Sequence, residues 1–322
     1  MGKMHKKTNL RKPVFSIVIP SLNAEQSITK CLTSISNLDF PKDKYEVILV
    51  DNGSKDKTLE IAKKFKVTIL SAPKAKIPKL RNIGIQKANG KIIASTDSDC
   101  IVDKDWLKNA LPYFQNKKIA MAGYECSVPK NPSIIESMWV DALNVKKGFV
   151  NKLPSGNFIF RKDIWKKVGK FDSSLTAGED PEFCYRIIKA GYKIMADPKI
   201  KVTHLGFPKT LREFIRKQYW YGSHTLKIAF KHGFKIRQFK ILILTLWSFI
   251  ALVGLLLSLL SNRDIYYTAS FFLFMCIPPL LLSFVAVIRS RKIFSFPLYF
   301  IIFLTYNLVR GMSIITHSIK RT

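Results

Sequence analysis

The first hundred residues carry their apolar side chains in short unbroken runs. Val14 to Ile19, Glu46 to Val50, Val67 to Leu70 and Ile92 to Thr96 are each continuous and rich in β-branched residues. Such runs predict strands covered on both faces rather than half-solvated ones. Between them, Glu25 to Ser36, Asp56 to Phe65 and Lys79 to Ala88 space their apolar positions for helices, and Asp180 to Ala190 predicts another further on. The alternation implies an α/β fold, a mainly parallel sheet flanked by helices.

The pattern changes after residue 208. From 209 to 240, basic residues interleave with Leu211, Phe214, Ile215, Tyr219, Leu226 and Phe230, as suits amphipathic helices lying in a lipid headgroup region. An ordinary surface helix on a soluble core has the same pattern. From 241 to 322 three apolar segments follow, about 241–260, 265–288 and 293–309. A hydrocarbon core takes about 20 apolar residues. Pro278 and Pro279 interrupt the second segment without excluding it from a bilayer. The third is short and rich in aromatics, which suits a tilted or interfacial helix as well as a span. The expected organisation is therefore a body at 1–208, membrane-interface helices at 209–240 and a transmembrane region at 241–322.

Charge sharpens this picture. The chain of 322 residues holds 53 Lys and Arg against 22 Asp and Glu, a formal charge of +31. The excess crowds the N-terminus (Lys3, Lys6, Lys7, Arg11, Lys12) and the stretch Lys209 to Lys240 beside the first apolar segment. An anionic membrane surface fits that placement. With no zinc-finger spacing, RNP-like strand or basic zipper, no nucleic-acid partner is expected. Lys227, Lys231, Lys235, Arg237 and Lys240 precede the first span, and Arg289, Arg291 and Lys292 link the second to the third. The positive-inside rule then places a multi-pass protein in the plasma membrane with its body in the cytosol. Lys320 and Arg321 in the tail run against a complete third crossing. Five scattered cysteines with no Cys-x-x-Cys pair suit reduced thiols rather than a disulfide frame.

In an open parallel sheet, ligands bind beyond the carboxyl ends of the strands. There the first run leads into Pro20, Asn23 and Glu25, the second into Asp51 and Gly53, and the fourth into Asp97-Ser98-Asp99. No G-x-G-x-x-G or Walker A motif follows the first strand, which disfavours dinucleotide oxidoreductases and P-loop NTPases. Without a glycine cradle, Asp97 and Asp99 can serve a diphosphate by holding Mg²⁺ or Mn²⁺; a solvated acidic turn is the alternative. Glu179 and Asp180 open a helix, where carboxylates cap and complement the dipole or supply a general base.

Taken together, Ser16 to Glu25, Val50 to Thr58, Arg81-Asn82-Ile83-Gly84, Thr96 to Asp99 and Gly178-Glu179-Asp180 resemble the motifs of family 2 glycosyltransferases with the GT-A fold, in order and approximate spacing, over about residues 13–205. The resemblance implies a metal-dependent, inverting transfer of a hexosyl or N-acetylhexosaminyl group from a nucleoside-diphosphate sugar to a glycan or lipid-linked acceptor. By it, Asp51 and the Pro20–Glu25 loop hold the nucleoside, with Arg81 near base or phosphate. Asp97 contacts ribose or metal, Asp99 ligates the metal, Asp180 is the base and Glu179 supports the acceptor pocket. Gly156 and Asn157 form an acceptor-side turn, and His204 sits where some members place a further metal or diphosphate contact. Asn52 stands where Asp is frequent, and the Gln-x-x-Arg-Trp signature of processive members is missing, which favours transfer of one or few sugars. A polyprenyl-phosphate glycosyltransferase and a non-catalytic sugar-nucleotide scaffold remain alternative readings.

Overall fold

The computed structural model describes residues 12–142, 147–232, 236–261 and 263–319. Lys3, Lys6, Lys7, Arg11, Lys235, Lys320 and Arg321 of the charge pattern lie outside them, as do the side chains of Leu226, Lys227, Phe230, Lys231, Arg237 and Lys240. The chain divides into two compact units: residues 1–126, 146–174 and 179–205, and residues 127–145, 175–178 and 206–322.

In the first unit, the elements run β1 (Phe15–Ser21), α1 (Ile28–Ser36), β2 (Tyr45–Asp51), α2 (Thr58–Ala62), β3 (Thr68–Ser71), α3 (Ile77–Lys87), β4 (Ile92–Ser95), β5 (Cys100–Val102), α4 (Trp106–Ala110) and β6 (Ile119–Gly123). After α5 (Ile134–Ala142), which belongs to the second unit, come β7 (Gly148–Val150), β8 (Phe158–Arg161), α6 (Lys162–Lys167), α7 (Glu179–Lys189), β9 (Lys193–Ala196) and β10 (Val202–His204). The main sheet has the order β3-β2-β1-β4-β8-β6-β9-β7. Its first four strands are parallel. β8 then pairs antiparallel with both β4 and β6, and β7 antiparallel with β9.

All seven residues of β1 are buried, which is why its run is unbroken. Pro20 is tolerated there because β4 has already ended: Ser95 pairs with Val18, while β1 continues only against β2. α3 lies against this strand pair at Gly84. A Cβ there would come within 2.5 Å of Val18 Cγ1 and 3.1 Å of Val50 Cγ2, so the close approach requires glycine. A separate two-stranded ribbon pairs β5 with β10, His204 opposite Cys100.

The second unit contains α5, α8 (Leu211–His232), α9 (Ile236–Leu260), α10 (Ile265–Ser290) and α11 (Phe296–Ile319). Among the described residues, three stretches are long and apolar enough to cross a membrane: Leu242–Leu260, Ile265–Ser290 and Ile293–His317. The third, expected to stop at Val309, continues through Arg310 to 25 residues. The helix survives that charge because Arg310 Nε donates to Gln218 Oε1 of α8 at 3.0 Å.

Pro278 and Pro279 lie inside α10 and cannot donate to the carbonyls one turn earlier. α9 supplies the missing donors: Trp247 Nε1 reaches Phe274 O at 2.9 Å and Ser248 Oγ reaches Met275 O at 3.4 Å. α5 is held to the link after α10 by Lys292 and Asp141 at 2.7 Å, and Met138 packs with Phe214, Ala286 and Tyr299.

Candidate active site

The carboxyl edge of the parallel strands begins with two loops stitched to each other. After β1, Asn23 adopts a positive φ of 47°. Its backbone N–H donates to Ser54 Oγ, and its side-chain oxygen accepts from Lys55 N. Glu25 is tied in the same way: its N donates to Asp56 Oδ2, and its Oε2 accepts from Lys57 N. Ala24 N donates to Thr58 Oγ1 at 2.7 Å. Asp51, 1% exposed, folds the second loop back on itself. One of its oxygens accepts from Gly53 N and Ser54 N, the other from Ser54 Oγ, and Gly53 has a φ of +87° that glycine tolerates. Asn23, Glu25, Asp51 and Gly53 therefore share one edge, and much of their hydrogen-bonding capacity shapes the loops.

The segment Arg81 to Gly84 separates into three tasks. Gly84 permits the helix–sheet approach described above. Asn82 accepts from Phe171 N and Trp165 Nε1 and donates to Phe171 O, fastening α3 to the chain before α7. Arg81 reaches the site. Its guanidinium is 2% exposed, and Nη1 donates to Ser95 Oγ and Nη2 to Asp97 Oδ1, each at 2.6 Å. Its Nε stands 3.7 Å from Glu179 Oε1. One buried cation thus joins the end of β4 to the start of α7 and has its donors turned inward.

Past β4, Asp97, Ser98 and Asp99 make the turn into β5, and the β5–β10 ribbon returns His204 to it. Potential ligand atoms of Asp97, Asp99, Cys100 and His204 all lie within 4.8 Å of one another. His204 Nε2 is 3.5 Å from Asp99 Oδ1, and Leu205 N donates to Asp99 O. Two carboxylates and an imidazole form a donor set that fits Mn²⁺ or Mg²⁺. Asp97 gives one oxygen to Arg81. Its other oxygen would be 3.2 Å from a Cβ at Gly156, so glycine leaves it room. Beneath the turn, Cys31 Sγ donates to Asp97 O at 3.5 Å, and burial, with Cys100 and Asp99 nearby, raises its pKa.

At the head of α7, removal from water pushes Glu179 up to about 7, with the neighbouring Asp180 charge adding to the rise and Arg81 opposing it. Asp180 is pushed up to about 6, chiefly by burial, against the pull of Lys152 and of the Ser155 N–H. The pair holds its protons more tightly than ordinary carboxylates and titrates near neutrality. α7 is fixed by Arg186, bidentate to Glu182 at 2.8 and 2.7 Å and donating to the carbonyls of Val168, Gly169 and Lys170.

Asn157, in the turn Ser155–Asn157, is wholly buried. Its oxygen accepts from Trp106 Nε1 and its nitrogen donates to Ile200 O, so its amide serves as an internal clip. Lys152 and Ser155, unmarked by pattern alone, stand beside Asp180; the only signal for them is the Leu153-Pro154-Ser155 run preceding Gly156.

Comparison with known proteins accords with this geometry. The family model described as "Glycosyl transferase family 2" matches residues 16–168. Glycosyltransferase AglE of Haloferax volcanii is 28% identical over 255 residues, covering 76% of this chain and 82% of that protein. A Methanococcus voltae protein, dolichyl N-acetyl-alpha-D-glucosaminyl phosphate 3-beta-D-2,3-diacetamido-2,3-dideoxy-beta-D-glucuronosyltransferase, is 28% identical over 301 residues, covering 81% of this chain and 94% of that protein. Among solved structures, mannosyltransferase PcManGT from Pyrobaculum calidifontis, in complex with GDP-Man and Mn²⁺, superposes with a TM-score of 0.62 over 94% of this chain and 87% of its own. At 17% identity that likeness establishes the fold.

Proposed function

We propose that this chain, which carries a glycosyltransferase family 2 domain on a GT-A fold, moves one sugar, with inversion, from a nucleoside-diphosphate sugar to a hydroxyl of a lipid-linked or cell-surface glycan. The helical unit is its membrane anchor, and the sheet unit works in the cytosol. The observation that carries the reading is the Asp97–Arg81–Glu179 linkage, which gathers the acidic turn after β4 and the carboxylate pair of α7 around one buried guanidinium.

In this reading Asp180 accepts the acceptor's proton as its hydroxyl oxygen attacks the anomeric carbon, and the bond to the diphosphate oxygen breaks on the opposite face. A base titrating near 6 is ionised at neutral pH yet strong enough to draw a hydroxyl proton. Glu179, titrating near 7, can present a proton or a lone pair to a second acceptor oxygen. Asp97, Asp99 and His204 would hold the divalent cation, which supplies charge neutralisation to the departing diphosphate. Arg81 keeps Asp97 and Glu179 in fixed relation. Asn23, Glu25, Asp51 and Gly53 lie where the nucleoside would rest.

The carboxylate pair also favours a hydroxyl acceptor over a polyprenyl phosphate, which arrives already ionised and has less need of a base. The Methanococcus voltae relative, whose name describes transfer to a dolichyl-phosphate-linked sugar, supports the same choice. The test is to incubate the purified full chain with labelled nucleotide sugars, Mn²⁺ and a lipid-linked monosaccharide, and to read the product's anomeric configuration by NMR. An inverted glycoside is expected. A retained anomer, or nucleotide binding without turnover on any acceptor, would overturn the reading.

A further inference from the structure

Arg310 sits inside the third apolar stretch, Ile293–His317, on α11. Its guanidinium is walled by two aromatic rings, 4.5 Å from the centroid of Tyr306 and 5.5 Å from that of Tyr221. Nε is tied to Gln218, whose side chain is 1% exposed. A neutral amide and two rings fix the group in place without cancelling its charge.

Every Asp and Glu of the chain lies among the described residues, and none of them forms an ion pair with Arg310. The four acids of this unit are engaged elsewhere. Asp141 pairs with Lys292, and Glu136 accepts from Ser133 N. Glu213 accepts from Lys209 N, and Asp264 accepts from Tyr266 N at the start of α10. A fixed cation in an apolar helix is costly unless an anion meets it. Arg also has the planar donor fork that suits phosphate oxygens, and among the described residues its one side-chain hydrogen bond is made by Nε.

We propose that Arg310 is a binding site for the phosphate group of a membrane lipid, with Gln218 holding the fork and Tyr221 and Tyr306 flanking it. The inference rests on the proposal that the helical unit lies in a membrane; if that proposal is wrong, the full chain will remain soluble without detergent. The phosphate could belong to an isoprenoid phosphate carrier or to a bilayer phospholipid, and the probes below distinguish them.

The full chain is purified in a maltoside detergent, which contains no phosphate, and titrated by native mass spectrometry with a long-chain polyprenyl phosphate, phosphatidylglycerol, the matching polyprenol and inorganic phosphate. The wild type should retain at least one of the two lipid phosphates about tenfold more tightly than polyprenol. Preference for the polyprenyl phosphate identifies an isoprenoid carrier, and preference for phosphatidylglycerol identifies a bilayer lipid. Arg310→Gln should lose that margin. Gln218→Glu should lose it too, because the new carboxylate occupies the guanidinium, while the helices melt no lower than in the wild type by circular dichroism. That second variant keeps the test decisive if Arg310→Gln fails to fold. The proposal is overturned if both variants bind the lipid phosphates within twofold of the wild type, if polyprenol binds as well as its phosphate, or if inorganic phosphate alone binds as tightly as either lipid.

Discussion

Arg81 in the sheet unit and Arg310 in the helical unit are both arginines held by neighbouring side chains, but their surroundings differ. Arg81 is enclosed at 2% exposure by Asp97, Glu179 and Ser95, so charge meets charge inside protein. Arg310 is held by an amide and two rings, with no carboxylate paired to it among the described residues. The rest of each unit follows suit. The sheet unit concentrates ionisable groups at strand ends and couples them. The helical unit buries neutral hydroxyls and amides, among them Thr245, Ser248, Ser283 and Ser313, and uses them to bind helix to helix or to cap backbone carbonyls. A coupled ionic cluster can do chemistry, because its members perturb one another. Neutral interior polar groups fix register without titrating.

The largest effect expected along this divide is on turnover. Asp180→Asn should lower the rate by about 10²–10⁴, the usual contribution of a general base, with thermal melting of the full chain unchanged. A rate within threefold of wild type would remove Asp180 from the chemistry. Next comes Arg81→Ala, which strands buried carboxylates and should cost about 3–5 kcal/mol in a urea melt. The Lys292–Asp141 pair of the helical unit is 51% and 30% exposed, and Lys292→Ala should cost less than about 1 kcal/mol. Similar losses from the two would erase the contrast.

A third comparison uses two leucines of similar exposure, Leu281 at 57% and Leu22 at 51%. Leu281→Lys should penalise membrane insertion by about 2.5–3.5 kcal/mol, measured by glycosylation mapping. Leu22→Lys in the sheet unit should change stability by no more than about 0.5 kcal/mol. The smallest effect is the pH response. Protonation of Asp180 removes the base, so turnover should fall as pH drops through about 6, by roughly tenfold per unit once below it. A profile flat down to pH 5 would contradict the raised titration of the pair.

The parallel half of the sheet was readable because each strand is an unbroken apolar run, and the observed β1 to β4 lie within a residue or two of those runs. The antiparallel half was not, since β8 is inserted between β4 and β6 by pairings that no local pattern encodes. The acidic turn and the α7 carboxylates were visible from their motifs. That Arg81 unites them was not, because a buried arginine and one facing a ligand look alike in sequence. The third apolar stretch runs past Val309 to His317 for a related reason: Arg310 reads as a boundary in sequence, and Gln218, 92 residues away, holds it. α5 joining the helical unit likewise depends on contacts with α10 and α11, far along the chain.

If α9 and α10 span the bilayer as proposed above, the proline pair of α10 has a consequence for biogenesis. A solitary α10 entering lipid would expose the Phe274 and Met275 oxygens to hydrocarbon, at several kcal/mol each. Trp247 and Ser248 remove that penalty only when α9 already lies alongside. The second helix should therefore leave the insertion machinery as a hairpin with the first, and a chain lacking Trp247 and Ser248 should integrate poorly although neither residue lies in α10.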